Sequence, residues 1–471
     1  MKKFKQYFAV LGICLTVGLL TGCGGKAEDV FSQSDVSGND SGIEEDGDDT
    51  DEKQTVQGEP INADEAVSRN EGATEEGQGN QLTDSMDGSL NGSEADRQNG
   101  KAIDAEGNSD IPEREAVKVK GIYVSGPIAG HSKMEDLIAL VDETELNAMV
   151  IDIKNDEGKI TYKMQTDTVL EIDAGVNYIR DIDALVKKCK EKDIYLIARI
   201  VAFRDPYLAE QKPELAVKTA TGEVFRDKNG LAWVNPYKKE VWDYLMEVAA
   251  EAAAVGFDEI QFDYIRFSTD IKAGEADFGA EAEGISKIDI ITQFTEYAYE
   301  TLTPLGVFVA ADVFGTVIDN ETDQKIVGQD YAKMAEHLDY ICPMVYPSHY
   351  ANGAYGISVP DAEPYRTINE AATSSAEVLG SLPEENRATV RVWLQSFTAK
   401  WVPGYISYGP QQIREQIKGA YDAGYDEWIL WNAAVNYQRD SLLTDEEAEA
   451  ERAQWDAEKA AKECETVSGN Y

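Results

Sequence analysis

Eight short, β-rich apolar runs recur between residues 117 and 440, and helix-like stretches lie between them. The runs cover residues 119–125, 148–154, 194–203, 259–267, 307–314, 340–346, 390–397 and 427–432. Helical patterns fill residues 134–144, 179–191, 238–255, 288–301 and 411–423. Two of these end in a glycine-aromatic turn, Gly256-Phe257 and Gly424-Tyr425, which hands the chain to the next strand. Strict β–α alternation requires parallel strands, and eight units predict a closed (β/α)8 barrel, the TIM barrel. An open, doubly wound sheet is the alternative. It is weakened because no G-x-G-x-x-G fingerprint opens the first helix.

The chain of 471 residues has a formal net charge of −45, which makes nucleic acid and anionic membrane surfaces poor partners. Much of the excess lies outside the barrel. Residues 1–22 have the order of a lipoprotein signal peptide: Lys2, Lys3 and Lys5, then an apolar run over 8–20, then Leu20-Thr21-Gly22-Cys23. Cys23 is therefore expected to carry lipid and to tether the protein on the extracytoplasmic face of the membrane. Residues 23–116 are rich in Gly, Ser, Asn and acid, and read as a disordered acidic stalk. Residues 441–471 read as a charged helical tail packed on the barrel. With 5 Cys of unpaired spacing and 3 His, neither a disulfide framework nor a metal site is expected, and no organic cofactor is called for.

In such a barrel, side chains at the C-terminal strand ends line the mouth. The fourth run reads Glu259-Ile-Gln-Phe-Asp263, and the fifth ends in Ala311-Asp312-Val-Phe314. An Asp among Ile, Phe and Val costs free energy unless it is paired or working. Adjacent strands lie about 4.8 Å apart, near the separation of about 5–5.5 Å that a retaining glycosidase needs between its two carboxyls. Asp263 and Asp312 are the catalytic candidates. Asp152, with Lys154 on its face, is read as an interior partner of Arg199. Trp233, Arg266, Tyr346, His349, Trp393, Gln395, Trp431 and Asn432 complete the expected substrate-binding set, because aromatic faces with amide and charged edges suit sugars. In Trp233-Val-Asn235-Pro236, Asn235 is expected to cap the helix that follows.

Several runs together carry a family resemblance. They are Val150-Ile-Asp-Ile-Lys-Asn-Asp-Glu-Gly158, Gly256-Phe-Asp-Glu-Ile-Gln-Phe-Asp-Tyr-Ile-Arg-Phe267, Ala311-Asp-Val-Phe-Gly315, Pro343-Met-Val-Tyr-Pro-Ser-His-Tyr350 and Leu430-Trp-Asn432. The chain resembles, from about Val117 to Tyr437, a bacterial glycoside hydrolase domain family long recorded as a domain of unknown function. The resemblance implies a barrel distantly similar to the alpha-amylase-like glycosidases, with the strand-four carboxylate as nucleophile and strand five carrying the acid/base. Those roles fall on Asp263 and Asp312, the latter an Asp where the amylase-like enzymes carry Glu. The implied function is hydrolysis of a cell-wall or surface polysaccharide. The rival reading is a non-catalytic glycan-binding lipoprotein on the same barrel. No G-x-S-x-G elbow favours an esterase.

Overall fold

The computed structural model describes residues 114–468 apart from Ala273, with side chains described as far as residue 461. The leader, Cys23 and most of the acidic stalk lie outside the described residues. All eight runs form strands: β1 Lys120–Val124, β2 Ala148–Lys154, β3 Tyr195–Val201, β4 Glu259–Asp263, β5 Phe308–Phe314, β6 Tyr340–Met344, β7 Val392–Gln395 and β8 Trp428–Trp431. Each is parallel to the next. β8 pairs back onto β1, Lys120 opposite Trp428, and closes the barrel. The helices α1 Lys133–Asp142, α2 Ile182–Lys190, α3 Lys239–Val255, α4 Lys287–Leu302, α5 Tyr331–Ala335, α6 Pro364–Leu379, α7 Pro410–Asp422 and α8 Asp445–Ser468 separate the strands and follow the last.

Most strands are shorter than their apolar runs, and the two largest losses, in β4 and β7, each have a local reason. β4 stops at Asp263 because Tyr264 turns into the left-handed region, φ 50°, which a bulky L-residue enters only at a cost. The seventh run is broken at Arg391, leaving the short strand Thr389–Val390 ahead of β7. Arg391 is wholly buried near the N-terminal end of the barrel. Its Nη1 donates to Glu259 Oε1 at 2.7 Å and its Nε to Glu427 Oε2 at 3.0 Å. Burial pushes the Glu259 carboxyl up to about 7, against the pull of Arg391. At this end of a barrel such a triad acts on stability. Arg391→Leu should lower stability by roughly 3–5 kcal/mol, since it strands two buried carboxyls. Urea unfolding is the check, and a loss below about 1 kcal/mol would mean the triad is solvated or neutral.

Gly256 ends α3 at φ 115°, the left-handed cap expected of Gly256-Phe257. α8 lies on α7: Trp455 meets Tyr421 edge-on at 6.0 Å, and Arg414 Nε reaches Glu451 at 3.0 Å. Arg452 also reaches Asp426, next to β8, at 3.1 Å.

Candidate active site

The centre of the barrel mouth is Arg199, on β3 and 1% exposed. Its Nη1 donates to Asp152 Oδ1 at 2.7 Å, the pair expected from the neighbouring strands. Its Nε and Nη2 both donate to Asp263 Oδ2, at 2.9 and 2.5 Å. Asp156, on the loop after β2, adds contacts at 3.3 and 3.4 Å. One guanidinium thus serves three carboxylates. Burial alone would raise Asp156, but Arg199 and Arg204 outweigh it and bring its carboxyl down to about 2. Asp152 goes the other way. Burial pushes it up to about 6 although Arg199 opposes, and Tyr123 donates to its Oδ2 at 2.6 Å. Asp263 gains one further bond, from the backbone N–H of Tyr264 at 2.6 Å. The strained turn at Tyr264 is therefore what aims a backbone donor at Asp263.

Asp312 stands across from Asp263, one residue beyond the last register pair, Phe262 with Ala311. It is 1% exposed. Its Oδ1 accepts the indole N–H of Trp393 at 2.6 Å. Burial, then the neighbouring charge of Asp263, pushes its carboxyl far above the ordinary carboxylate range. Two carboxyls at one level thus have opposite surroundings: Asp263 is paired with a cation, and Asp312 is buried beside a second carboxyl, which favours its protonated form. The rings of Tyr123, Trp431 and Trp393 pack beside this pair, with centroids 4.2 Å apart for Tyr123–Trp431 and 5.7 Å for Trp393–Trp431. Tyr346 packs on His349 at 5.2 Å. Burial lowers His349 to about 4, so its imidazole is neutral near pH 7.

Other expected binding residues have different work. Lys154 is completely buried, 2.7 Å from Asp205 and bonded to the Val201 carbonyl, so its ammonium is spent inside the wall. Gln395 is completely buried as well, holding Asp361 Oδ1 and the Ser348 N–H. Asn432 bonds the Ser396 carbonyl and its own loop. Trp233 gives its indole N–H to Asp227 and lies edge-on to Tyr264, and Arg266 lies over Phe314 at 4.2 Å. These two support the Tyr264 turn from behind. Asn235 does not cap α3: its Oδ1 accepts the Tyr237 N–H, two residues on, in an Asx turn that ends before the helix.

Three residues outside the expected set join the site: Asp156, Arg204 and Tyr123. Arg204 bridges Asp156 at 2.6 Å and the Tyr264 hydroxyl at 2.5 Å. Asp156 and Arg204 lie in the polar stretches just after β2 and β3, where the barrel rule would have pointed. Among the described residues, no group of three or more His, Cys, Asp or Glu is placed to hold a metal ion.

Residues 121–437 match the family model described as "Putative glycosyl hydrolase domain". The chain belongs to this family. As a glycosyl hydrolase domain it is similar to a hypothetical protein from Ruminiclostridium thermocellum ATCC 27405. The two share 40% identity over 41% of this chain and 97% of that one, with a TM-score of 0.38. It is also similar to the PgaB (BpsB) glycoside hydrolase domain from Bordetella bronchiseptica, at 12% identity over 69% of this chain and 99% of that domain, with a TM-score of 0.51. At that identity the likeness is one of fold. The spore cortex-lytic enzyme SleL of Bacillus megaterium QM B1551 aligns over 70% of this chain and 74% of its own, at 11% identity and a TM-score of 0.41. No curated protein matches the chain. The glycoside hydrolase expectation and the barrel fold both hold.

Proposed function

We propose that this glycoside hydrolase cuts a cell-wall or surface polysaccharide by a retaining, two-carboxylate route, and that lipid on Cys23 holds it on the extracytoplasmic face of the membrane. The observation that supports the chemistry is the opposite electrostatic setting of Asp263 and Asp312 at one level of the mouth. A retaining glycosidase needs one ionised carboxylate and one protonated carboxyl side by side. Asp263 attacks the anomeric carbon as the glycosidic C–O bond breaks, and Asp312 gives its proton to the departing oxygen. The Asp312 carboxylate then takes a proton from water, the water oxygen attacks the same carbon, and the bond to Asp263 breaks. Arg199 holds Asp263 in position with two hydrogen bonds. Tyr123, Trp431 and the neutral His349 offer rings and ring N–H edges to a sugar. The lysine-rich leader and Leu20-Thr21-Gly22-Cys23 support the anchor.

The test is to incubate the full-length protein with purified peptidoglycan, capsular polysaccharides, chitin and amylose, and to follow new reducing ends by mass spectrometry. Proton NMR of the first product gives its anomeric configuration. Product with inverted configuration would sink the retaining route, and release that survives Asp263→Asn would sink the site.

Asp312→Asn should slow a natural glycan by about 10²–10⁴-fold, the usual worth of a general acid. An aryl glycoside with a good leaving group should lose much less in the first step. The acid works while protonated, and its proton is held above the ordinary range. Wild-type kcat/KM should therefore fall as pH rises through that raised value, and Asp312→Asn should lose this alkaline limb. A pH–rate profile identical in both proteins would remove Asp312 from the acid role.

A further inference from the structure

We propose that the loop between β7 and α7 carries a distal sugar subsite, so that the enzyme grips an extended pyranose chain and not a single terminal sugar. The proposal rests on the glycosidase reading and adds its substrate class. The loop leaves the mouth beside Tyr346, whose hydroxyl is pushed up by burial and then by the charges of Asp312 and Asp263. Tyr346 lies two residues beyond the end of β6, at the mouth, packed on His349. Phe397 lies 6.1 Å from Tyr346, and Trp401 is stacked on Phe397 at 5.9 Å with 21° between the planes. Tyr405 follows at 42% exposure. Burial declines along this series: Tyr346 is buried, Phe397 and Trp401 are half-buried, and Tyr405 is exposed. Tyr346, Phe397 and Trp401 thus form a row of touching rings from the mouth outward, and Tyr405 of the same loop is exposed.

Packing alone does not account for how this loop is held. A loop that merely filled a gap would turn its rings inward, yet these keep part of their surface open. The backbone is fixed instead by a buried polar brace. Gln395 Nε2 donates to the Phe397 carbonyl at 3.1 Å and to Asp361 Oδ1 at 2.9 Å. The Tyr408 hydroxyl donates to the Asp361 carbonyl at 3.0 Å, and its backbone N–H to Thr398 Oγ1 at 3.0 Å. Gln395 and Asp361 are both wholly buried, and their hydrogen bonds offset the cost of burying them while fixing the loop backbone. A pyranose has an apolar face of C–H groups that a Phe–Trp surface covers and a rim of hydroxyls that stays in water. Successive sugars of one chain lying on successive rings match this row.

The test uses the full-length protein, Trp401→Ala and the conservative Trp401→Phe, with thermal melting to confirm folding. On whichever panel polymer is cut in an Asp263-dependent way, kcat/KM is measured for the polymer and for the aryl glycoside of its repeating unit. Trp401→Ala should lower the polymer-to-unit ratio about tenfold, the scale of one aromatic contact. Trp401→Phe should restore most of it. A ratio unchanged within about twofold overturns the subsite and leaves the catalytic reading intact. If no polymer is cut, the catalytic reading fails, and native gels cast with each polymer decide the subsite separately. Retardation of wild type that weakens in Trp401→Ala supports it, and equal migration of the two proteins in every gel overturns it.

Discussion

Asp263→Asn should lower turnover of a confirmed glycan substrate by about 10⁴-fold or more, because the amide cannot form the glycosyl ester that the two-step route requires. The fold should survive. The amide keeps an oxygen for the Arg199 bonds now made at 2.9 and 2.5 Å, and Asp152 and Asp156 remain to balance the guanidinium. A second consequence separates loss of the nucleophile from general damage. The charge of Asp263 helps hold the Asp312 proton. With that charge gone, the Asp312 pKa moves down, and the alkaline limb of any residual activity moves to lower pH. The third consequence is chemical. Asp263→Ala leaves a space beside a buried guanidinium that a small anion fits. Azide should restore turnover and appear in the product as a glycosyl azide of inverted configuration, since it attacks once from the nucleophile's side. Undiminished turnover in Asp263→Asn, or azide rescue giving a hydrolysis product of unchanged configuration, would place the nucleophile elsewhere.

The parts legible in the sequence were those set by periodicity. Eight apolar runs at barrel spacing predict eight parallel strands, which put Asp263 of the fourth run beside Asp312 of the fifth at the mouth. The Asp152–Arg199 pair was legible for the same reason, since both lie on strands whose register can be counted. What was not legible depends on directions that periodicity does not carry. The expected strand through Phe267 ends at Asp263 because the backbone reverses its handedness at Tyr264, and no composition signal marks that turn. Lys154 shares a face with Asp152 in a regular strand, but the β2–β3 register slips between the two. Its ammonium therefore meets Asp205 in the wall. Trp393 was expected to stack on sugar, and it instead gives Asp312 its one side-chain hydrogen bond. Lys154 and Trp393 each found a partner from a distant part of the chain. Such partners become visible only when the barrel has closed.

Arg199→Leu should lower stability by about 3–5 kcal/mol, because breaking a buried ion cluster leaves its other members uncompensated. Three carboxyls, Asp152, Asp156 and Asp263, would face one another around an apolar side chain in the space the guanidinium now fills. The pH dependence distinguishes this from simple loss of packing. In wild type the guanidinium holds Asp156 down to about 2 and restrains the burial-driven rise of Asp152, which still reaches about 6. Without it, burial pushes the Asp152 carboxyl further up, and Asp156 loses one of the two cations that hold it down. The folded variant then binds more protons than the unfolded chain, and its stability falls as pH rises from the unfolded carboxylate range upward. Its melting temperature should lie closer to wild type at pH 5 than at pH 8. A deficit independent of pH would mean that Arg199 acts by filling space. Arg199→Lys sharpens the test, because one ammonium keeps the charge but cannot reproduce the fork that joins Asp152 to Asp263. It should recover part of the stability at pH 8 and little of the turnover, since Asp263 would keep a counter-charge and lose its orientation. The same guanidinium thus accounts for two properties: the fold tolerates three carboxyls in its mouth, and one of them is positioned to attack.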